Sequence, residues 1–207
     1  LVYYGFVFDI IYILIAFIGI RSSIDKRSDG SITETDVLTV LPFGNDIYIT
    51  KILGSTILKA LEHSASVRNR DSNGGFLQMA GIRVTYDYNK MEGERITKVE
   101  VRCAECDVPL YEELEKKKLY NAIVPEFLLN GGDGHFFTEG NKTSTIRLKK
   151  NDQSAFIRYL NTHDVIYPEI ESRITIIEKS RGGAATIATR SSTLNIMFII
   201  FLMVIIH

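Results

Sequence analysis

Cysteine is scarce in this 207-residue sequence, and two cysteines cannot staple a disulfide-rich mini-domain. An excess of either charge sign is also missing, because 24 basic side chains face 25 acidic ones. The resulting net charge of −1 excludes a generally basic protein that coats nucleic acid. Charge itself is plentiful at 24% of residues, which excludes a bundle of membrane helices. The length suits one domain of about 150–200 residues with a sizeable core.

The mean hydropathy of +0.06 is high for a soluble domain, because apolar residues are concentrated at the two ends. Residues 1–20 carry a single charge, Asp9. About 20 apolar residues suffice for a spanning helix. A signal peptide is disfavoured, since a basic leading region and a small-residue cleavage site are both missing.

The C-terminal end has a different pattern. Residues 194–206 are apolar except for Asn195, and a helix of this length is roughly 20 Å long, too short for a bilayer core of about 30 Å. Small residues and a polar spacer precede it, which is typical of a lipid-anchor (GPI) attachment signal. We therefore predict an anchor signal over 179–207 with attachment at Gly182 or Gly183. The alternative is a tail-anchor helix.

Between these ends, helical and strand patterns alternate, which favours an α+β (mixed α/β sandwich) fold. Thr33 is expected to cap a helix that Pro42 ends, and Pro125 to begin another. The remaining predictions are a strand over 46–53, a helix over 56–63 capped by Gly54 and Ser55, strands over 76–86 and 96–102 forming a hairpin, a strand over 119–124, a helix over 153–160 capped by Asp152, and a last strand over 173–178.

Six short motifs occur in one order along residues 19–178. They are Gly19-Ile20-Arg21-Ser22-Ser23-Ile24-Asp25, Leu41-Pro42-Phe43-Gly44, Leu53-Gly54-Ser55-Thr56, Leu61-Glu62-His63-Ser64, Gly75-Phe76-Leu77-Gln78 and Phe127-Leu128-Leu129-Asn130-Gly131-Gly132-Asp133-Gly134. This order resembles the C-terminal, substrate-binding domain of the 5′-nucleotidase family, especially its animal ecto-5′-nucleotidase and apyrase branch. An ordered set of motifs is more specific than any one of them.

The resemblance implies a nucleotide pocket. Phe43 and Phe127 match the two aromatic residues that sandwich the nucleobase, and stacking on a ring is worth about 1–3 kcal/mol per base. Asp133 matches the carboxylate that accepts hydrogen bonds from the ribose hydroxyls. Arg21 matches an arginine on the phosphate side. The same loop adds Asn130 and Gly132 to the predicted substrate-binding residues. Without the resemblance, the phenylalanines would be core residues and Asp133 part of a turn.

The Cys103-Ala104-Glu105-Cys106 segment has three interpretations. A zinc site needs further ligands at a matching spacing, and a redox motif would open a helix rather than follow a strand. The family resemblance implies a short disulfide, as expected outside the cell. Asn141 begins a glycosylation sequon, Asn141-Lys142-Thr143, which points to the same location.

Metal-ligand motifs are missing from the sequence. The histidines His63, His135, His163 and His207 have no ligand spacing, so we assign no metal ligand and no catalytic residue. The resemblance implies that a pair of divalent metals, zinc above all, belongs to an N-terminal metallophosphatase domain outside this chain. That domain is an expected partner.

Residues 1–18 depart from the family pattern. Asn-Gly-Gly is expected before Gly19, whereas this sequence has Ala16-Phe17-Ile18. We therefore expect residues 1–18 to be foreign to the fold, with a membrane helix as the alternative.

The resemblance implies the nucleotide-binding half of an anchored 5′-nucleotidase, an enzyme that hydrolyses extracellular nucleoside 5′-monophosphates to nucleoside and phosphate. One alternative is half of an apyrase acting on ATP and ADP. Another is an inactive surface protein that binds nucleosides or a partner. The expected location is the extracellular face of the plasma membrane, with a homodimer implied through this domain and no nucleic-acid partner.

Overall fold

The computed structural model describes residues 13–16, 22, 24, 27–68, 74–103, 106, 108, 110–137, 145–163, 165–166, 172–179 and 185–188. In chain order the elements are β1 (Ile13–Ala16), α1 (Glu34–Val40), β2 (Asp46–Leu53), α2 (Gly54–Val67), β3 (Gln78–Ala80), β4 (Ile82–Asp87), β5 (Ile96–Arg102), β6 (Tyr111–Glu113), β7 (Leu119–Pro125), α3 (Glu126–Leu129), a 3₁₀ turn (Gly132–Gly134), β8 (Ile146–Asn151), α4 (Asp152–Thr162), β9 (Ile174–Lys179) and β10 (Ala185–Ala188).

The strands form two five-stranded sheets. Sheet A has the order β3-β1-β7-β2-β8, and sheet B has the order β10-β9-β4-β5-β6. Most neighbours are antiparallel, whereas β1 pairs with β7 and β4 pairs with β9 in parallel. Helices and mixed sheets in one chain confirm the predicted α+β class.

Sheet A is covered on both faces, as its strand β7 shows. Ala122 and Val124 belong to a core cluster that α2 shares with sheet B, whereas Ile123 belongs to a second cluster with α1 and α4. Successive side chains of a strand point to opposite faces, so burial of both faces makes the run from Ala122 to Pro125 continuously buried. The two-sided packing fixes the end of β7, after which the chain enters α3.

The single strand predicted over 76–86 is two strands in two different sheets. β3 belongs to sheet A and β4 to sheet B, and Gly81 lies between them with a φ of 70°. A glycine adopts this left-handed conformation without a Cβ penalty, which lets the chain turn from one sheet into the other. The predicted hairpin is confirmed for β4 and β5, which pair antiparallel.

Helix starts were predicted with mixed success. Thr33 caps α1 as expected, and with Asp36 it forms a capping box. Pro125 directly precedes α3, close to the predicted start of that helix. The caps predicted for α2 and α4 are wrong by one residue or more. α2 begins at Gly54 with Leu53 before it and without a side-chain cap, and Asn151 rather than Asp152 caps α4.

Both chain ends contribute strands to the sheets. Within the segment predicted to be foreign, residues 13–16 form β1, which pairs with β3 and β7 inside sheet A. The expected boundary at residue 18 is therefore wrong for these four residues. Residues 185–188, inside the predicted anchor signal, pair with β9 as β10. Within the described ranges, no helix is long and apolar enough to cross a membrane.

Candidate functional site

The two predicted stacking residues lie at the same end of sheet A. Phe43 is in the loop that enters β2, and Phe127 is in α3, directly after β7. These strands are antiparallel, and Ile47 near the start of β2 pairs with Pro125 at the end of β7. The start of β2 and the end of β7 therefore lie side by side at the same end of sheet A. The hydroxyl of Tyr48 donates to Glu126 Oε1 at 3.2 Å, and this hydrogen bond joins β2 to α3 at that end of the sheet.

The rings of Phe43 and Phe127 are exposed, at 55% and 40% of their accessible surface. Large aromatic side chains are normally buried, and two exposed rings at one end of a sheet are a feature of a recognition surface rather than of a core. Without the resemblance the sequence favoured core positions for both residues. The structure places them at the surface.

The Phe43 loop is held by the start of α4. Gln153 Nε2 donates to the carbonyl of Leu41 at 2.6 Å, and the backbone N–H of Asp152 donates to the carbonyl of Asn45 at 2.9 Å. Gly44 has a φ of 60°, and a Cβ there would lie 3.2 Å from Gln153 Oε1. Burial raises the pKa of Asp152, whose Oδ2 lies 3.4 Å from Asn45 Nδ2. These contacts fix both sides of the aromatic residue.

The loop after α3 carries the predicted ribose ligand. Asp133 has a φ of 51° and a ψ of 25°, a left-handed conformation that is rare for a residue with a Cβ. Two glycines of the same loop, Gly131 and Gly134, have φ values of 90° and 78°. Oδ2 of Asp133 is buried and has no hydrogen-bond partner among the described residues. Such an oxygen is unusual, because most buried polar atoms in proteins are hydrogen-bonded.

The other predicted loop residues differ in role. Asn130 is exposed and ends α3, with its backbone N–H donating to the carbonyl of Glu126 at 3.0 Å. Gly132 lies against the ring of Phe127, since a Cβ there would overlap the ring. Gly132 therefore joins the predicted base-stacking residue to the predicted ribose ligand.

Two histidines lie beside this loop, and the sequence patterns assigned them no role. His63 Nε2 lies 2.7 Å from the carbonyl oxygen of Asp133, and His135 Nε2 lies 2.8 Å from that of Gly75. The two rings meet edge to face at 4.7 Å. The pKa of His135 is lowered from 6.5 to about 4, mainly by burial. The hydrogen bond with Gly75 opposes this shift, and the neighbouring His63 adds to it. His135 is therefore neutral at pH 7.

The cysteine pair is a disulfide. Cys103 and Cys106 are bonded, with Cα atoms 5.6 Å apart. Within the described part of the chain, these two residues and Glu112 are the only group of three metal-ligating side chains close together. Disulfide sulfurs are not thiolates, so this group does not fit a metal site. The residues that the structure describes do not fit a two-metal phosphatase centre either, and we derive no step through metals.

Several predicted sites lie outside the described residues. These are Arg21, Asn141, Gly182 and Gly183. His63 was part of a quoted motif, Leu61 to Ser64, whose other polar members fix other segments: Glu62 accepts from the N–H groups of Arg95 and Ile96, and Ser64 accepts from that of Leu77. Because His63 stands between Glu62 and Ser64, two residues that hold other segments, the motif itself was the sequence signal that could have indicated a similar role for His63.

The described residues form two mixed sheets, with two exposed aromatic rings and with an Asp133 oxygen that has no partner among them. These are features of the ligand-binding class of domain. Comparison with known proteins gives the same class. The family described as "5′-nucleotidase, C-terminal domain" matches residues 11–139. The chain belongs to this family.

Relatives agree with this assignment. The chain is 42% identical to human 5′-nucleotidase over 158 residues, which cover 75% of this chain and 27% of the human protein. It is 35% identical over 162 residues to an apyrase of Tabanus yao, covering 77% of this chain and 28% of that protein. Among solved structures, a 5′-nucleotidase precursor from Thermus thermophilus superposes with a TM-score of 0.70 and 32% identity, covering 79% of this chain and 31% of that one.

The match begins inside the N-terminal segment. It starts at residue 11, so β1 lies within the family's own boundaries. The chain spans less than a third of the length of these three proteins. Family membership therefore describes a domain, and the activity of a whole enzyme is a matter for proposal.

Proposed function

We propose that this chain is the nucleotide-binding half of a membrane-anchored 5′-nucleotidase that hydrolyses extracellular nucleoside 5′-monophosphates to nucleoside and phosphate. The observation that carries the proposal is the end of sheet A, where Phe43 and Phe127 are exposed and Asp133 keeps a buried oxygen without a partner among the described residues. The base stacks between the two rings, and the ribose hydroxyls donate to Asp133. Arg21 meets the phosphate side.

The hydrolytic step belongs to a partner domain in this proposal. By family resemblance, that domain would hold a pair of divalent metals, zinc above all, which would supply an activated water for the hydrolysis. This chain contributes orientation: it holds the nucleoside by its base and sugar and leaves the phosphate to the other domain. Positioning of this kind accounts for a large part of enzymatic rate enhancement.

The proposed location is the extracellular face of the plasma membrane. The disulfide between Cys103 and Cys106 and the sequon at Asn141 both suit an oxidising, glycosylating compartment. Attachment of a lipid at Gly182 or Gly183 would remove β10 from sheet B and leave β9 as its edge strand. Mass spectrometry of the C-terminal peptide from expressing cells tests the anchor: a chain that ends at His207 contradicts it.

Calorimetric titration of the 207-residue chain with adenosine tests the pocket. The whole chain is needed, because both ends supply strands. We expect the double variant Phe43→Ala/Phe127→Ala to lose most of the binding heat, since each stacked ring is worth about 1–3 kcal/mol. Phe76→Ala, a change of a half-buried phenylalanine in the core, is the control for nonspecific damage. Equal heats from the wild type and the double variant would contradict the proposal.

The apyrase relative supports a second candidate, half of an enzyme that releases phosphate from ATP and ADP. The nucleoside pocket is common to both, because base and ribose are the same in mono-, di- and triphosphates. Phosphate release with AMP, ADP and ATP by the protein joined to its metal domain separates the candidates. Release from AMP alone supports the 5′-nucleotidase, and release from ATP and ADP supports the apyrase.

A further inference from the structure

The loop that carries Asp133 has an incomplete set of internal contacts. Its own hydrogen bonds are Gly134 N–H to Gly131 O at 3.2 Å and His135 N–H to Gly132 O at 3.1 Å. The carbonyl of Asp133 takes no part in these bonds and lies 2.7 Å from His63 Nε2 in α2. A residue of α2 therefore makes the hydrogen bond that holds this loop from outside the loop itself.

The direction of the hydrogen bond between His63 and Asp133 follows from chemistry. A carbonyl oxygen only accepts, so His63 Nε2 carries the hydrogen and donates it. The ring of His63 is confined by its surroundings as well. A Cβ on Gly134 would lie 2.9 Å from His63 Nε2, and the ring of His135 meets it edge to face at 4.7 Å. The donor is thus held at a fixed place beneath the loop.

A fixed donor matters here because Asp133 is strained. Its left-handed conformation is unfavourable for a residue with a Cβ, although Asp adopts it more often than most residues do. Such a conformation persists only where its surroundings over-determine it. Release of the carbonyl would let the peptide plane rotate, and the carboxylate would turn with it.

Resting on the proposed function, we propose that His63 is a positioning residue for ribose recognition: by holding the Asp133 carbonyl it aims the carboxylate at the ribose hydroxyls. It contacts no substrate itself. His63 therefore affects the part of the affinity that comes from the ribose hydroxyls and leaves base stacking on Phe43 and Phe127 unchanged.

Two nucleosides separate this role from general structural support. Adenosine has the 2′ and 3′ hydroxyls, and 2′,3′-dideoxyadenosine lacks them. We expect His63→Leu, which keeps much of the side-chain volume and loses the donor, to bind adenosine about tenfold more weakly and dideoxyadenosine as well as the wild type does. His63→Gln, whose amide nitrogen can reach the place of Nε2, should restore adenosine binding to within about threefold. His163→Leu, at an exposed histidine, is the matched control.

Hydrogen exchange of the chain without nucleoside gives a second, ligand-independent measurement. We expect the amides of Gly134 and His135 to exchange faster in His63→Leu and at the wild-type rate in His63→Gln. If His63→Leu does not fold, His63→Asn replaces it. The amide of the shorter asparagine side chain lies where Nδ1 of the histidine was, so it is too short to donate to the Asp133 carbonyl.

Each result has one meaning. An equal loss for both nucleosides, or unchanged exchange in the variant without the donor, overturns the positioning role. If the wild type binds neither nucleoside, the proposed function fails, and the exchange rates alone decide whether His63 fixes the loop.

Discussion

The ring of Phe127 lies directly over Gly132, so that a Cβ at position 132 would overlap its Cδ1, Cε1 and Cζ atoms. Phe127 belongs to α3 and Gly132 to the next turn of chain, so this contact sets the distance between helix and loop. The proposed base-stacking ring and the proposed ribose ligand, Asp133, are therefore one structural unit.

This contact predicts the effect of Gly132→Ala. The methyl group forces the ring of Phe127 aside, and overpacking of this kind costs about 1–3 kcal/mol of unfolding free energy. Adenosine affinity should fall with it. In a Phe127→Ala background the same change should cost much less, because the obstructing ring is gone. Urea denaturation of the four proteins of this cycle makes the measurement, and additive losses would show that the clash lies elsewhere.

The start of α2 gives a second prediction. A Cβ on Gly54 would overlap the backbone carbonyl of Glu115, which cannot move as a side-chain tip can. We expect Gly54→Ala to lower the unfolding free energy by about 2 kcal/mol or more. Ser55→Ala should change it by less than about 0.5 kcal/mol, because Ser55 makes no side-chain cap. A loss of about 1 kcal/mol in Ser55→Ala would instead support a capping role.

The support of the Phe43 loop gives a third prediction. Gln153→Ala removes the donor to the Leu41 carbonyl and leaves the loop free to move. We expect adenosine affinity to fall about three- to tenfold while the unfolding free energy changes by about 1 kcal/mol. Asn161→Ala, at an exposed position near the other end of α4, is the control and should bind as the wild type does. Unchanged binding in Gln153→Ala would show that the loop needs no support from α4.

The buried ring of His135 predicts a dependence of stability on pH. Its pKa is lowered by burial to about 4, whereas in the unfolded chain it is about 6.5. As the pH falls from about 6.5 to about 4, the unfolded state takes up a proton that the folded state does not. Stability is therefore complete above about pH 6.5 and is lost toward about pH 4, by roughly 3 kcal/mol at about 1.36 kcal/mol per unit.

His135→Phe removes the titrating group and keeps a ring beside Phe137, whose ring centre lies 5.9 Å away. Thermal and urea unfolding between about pH 7 and about pH 4 should give a flatter curve for this variant than for the wild type. His163→Phe, at an exposed histidine, should keep the wild-type slope. Parallel curves for His135→Phe and the wild type would contradict the assignment.

Local patterns in the sequence predicted most single elements. The alternation of Asp46 to Leu53 predicted β2 with its observed ends, and Thr33 and Asp36 predicted the start of α1. These signals depend on neighbouring residues alone. The stretch around Gly81 was misread for the same reason: its alternation continues across the glycine, and which sheet each half joins depends on partners far along the chain.

The site divides in the same way. The motif match predicted Phe43, Phe127 and Asp133 as site residues, and these remain part of the proposal. The apolar composition of residues 1–18 concealed β1, because a central strand in a sheet covered on both faces is as apolar as a membrane segment. The hydrogen bonds that hold the two loops could not be predicted from local sequence patterns, because their partners are far apart in the chain. His63 is 70 residues from Asp133, and Gln153 is 112 residues from Leu41.

Residue order alone was enough to predict the α+β class and the family correctly, and it also supplied the proposal that Phe43, Phe127 and Asp133 offer aromatic faces and a carboxylate to a nucleoside. Three features became visible only in the folded chain. The two rings are exposed at one end of sheet A, and a histidine of α2 lies within hydrogen-bond distance of the Asp133 carbonyl. Asp133 also has a left-handed backbone and a buried Oδ2 without a partner among the described residues. The physical reason is that residue type determines the chemistry of a side chain, whereas antiparallel pairing and the packing of distant elements determine its position and its neighbours.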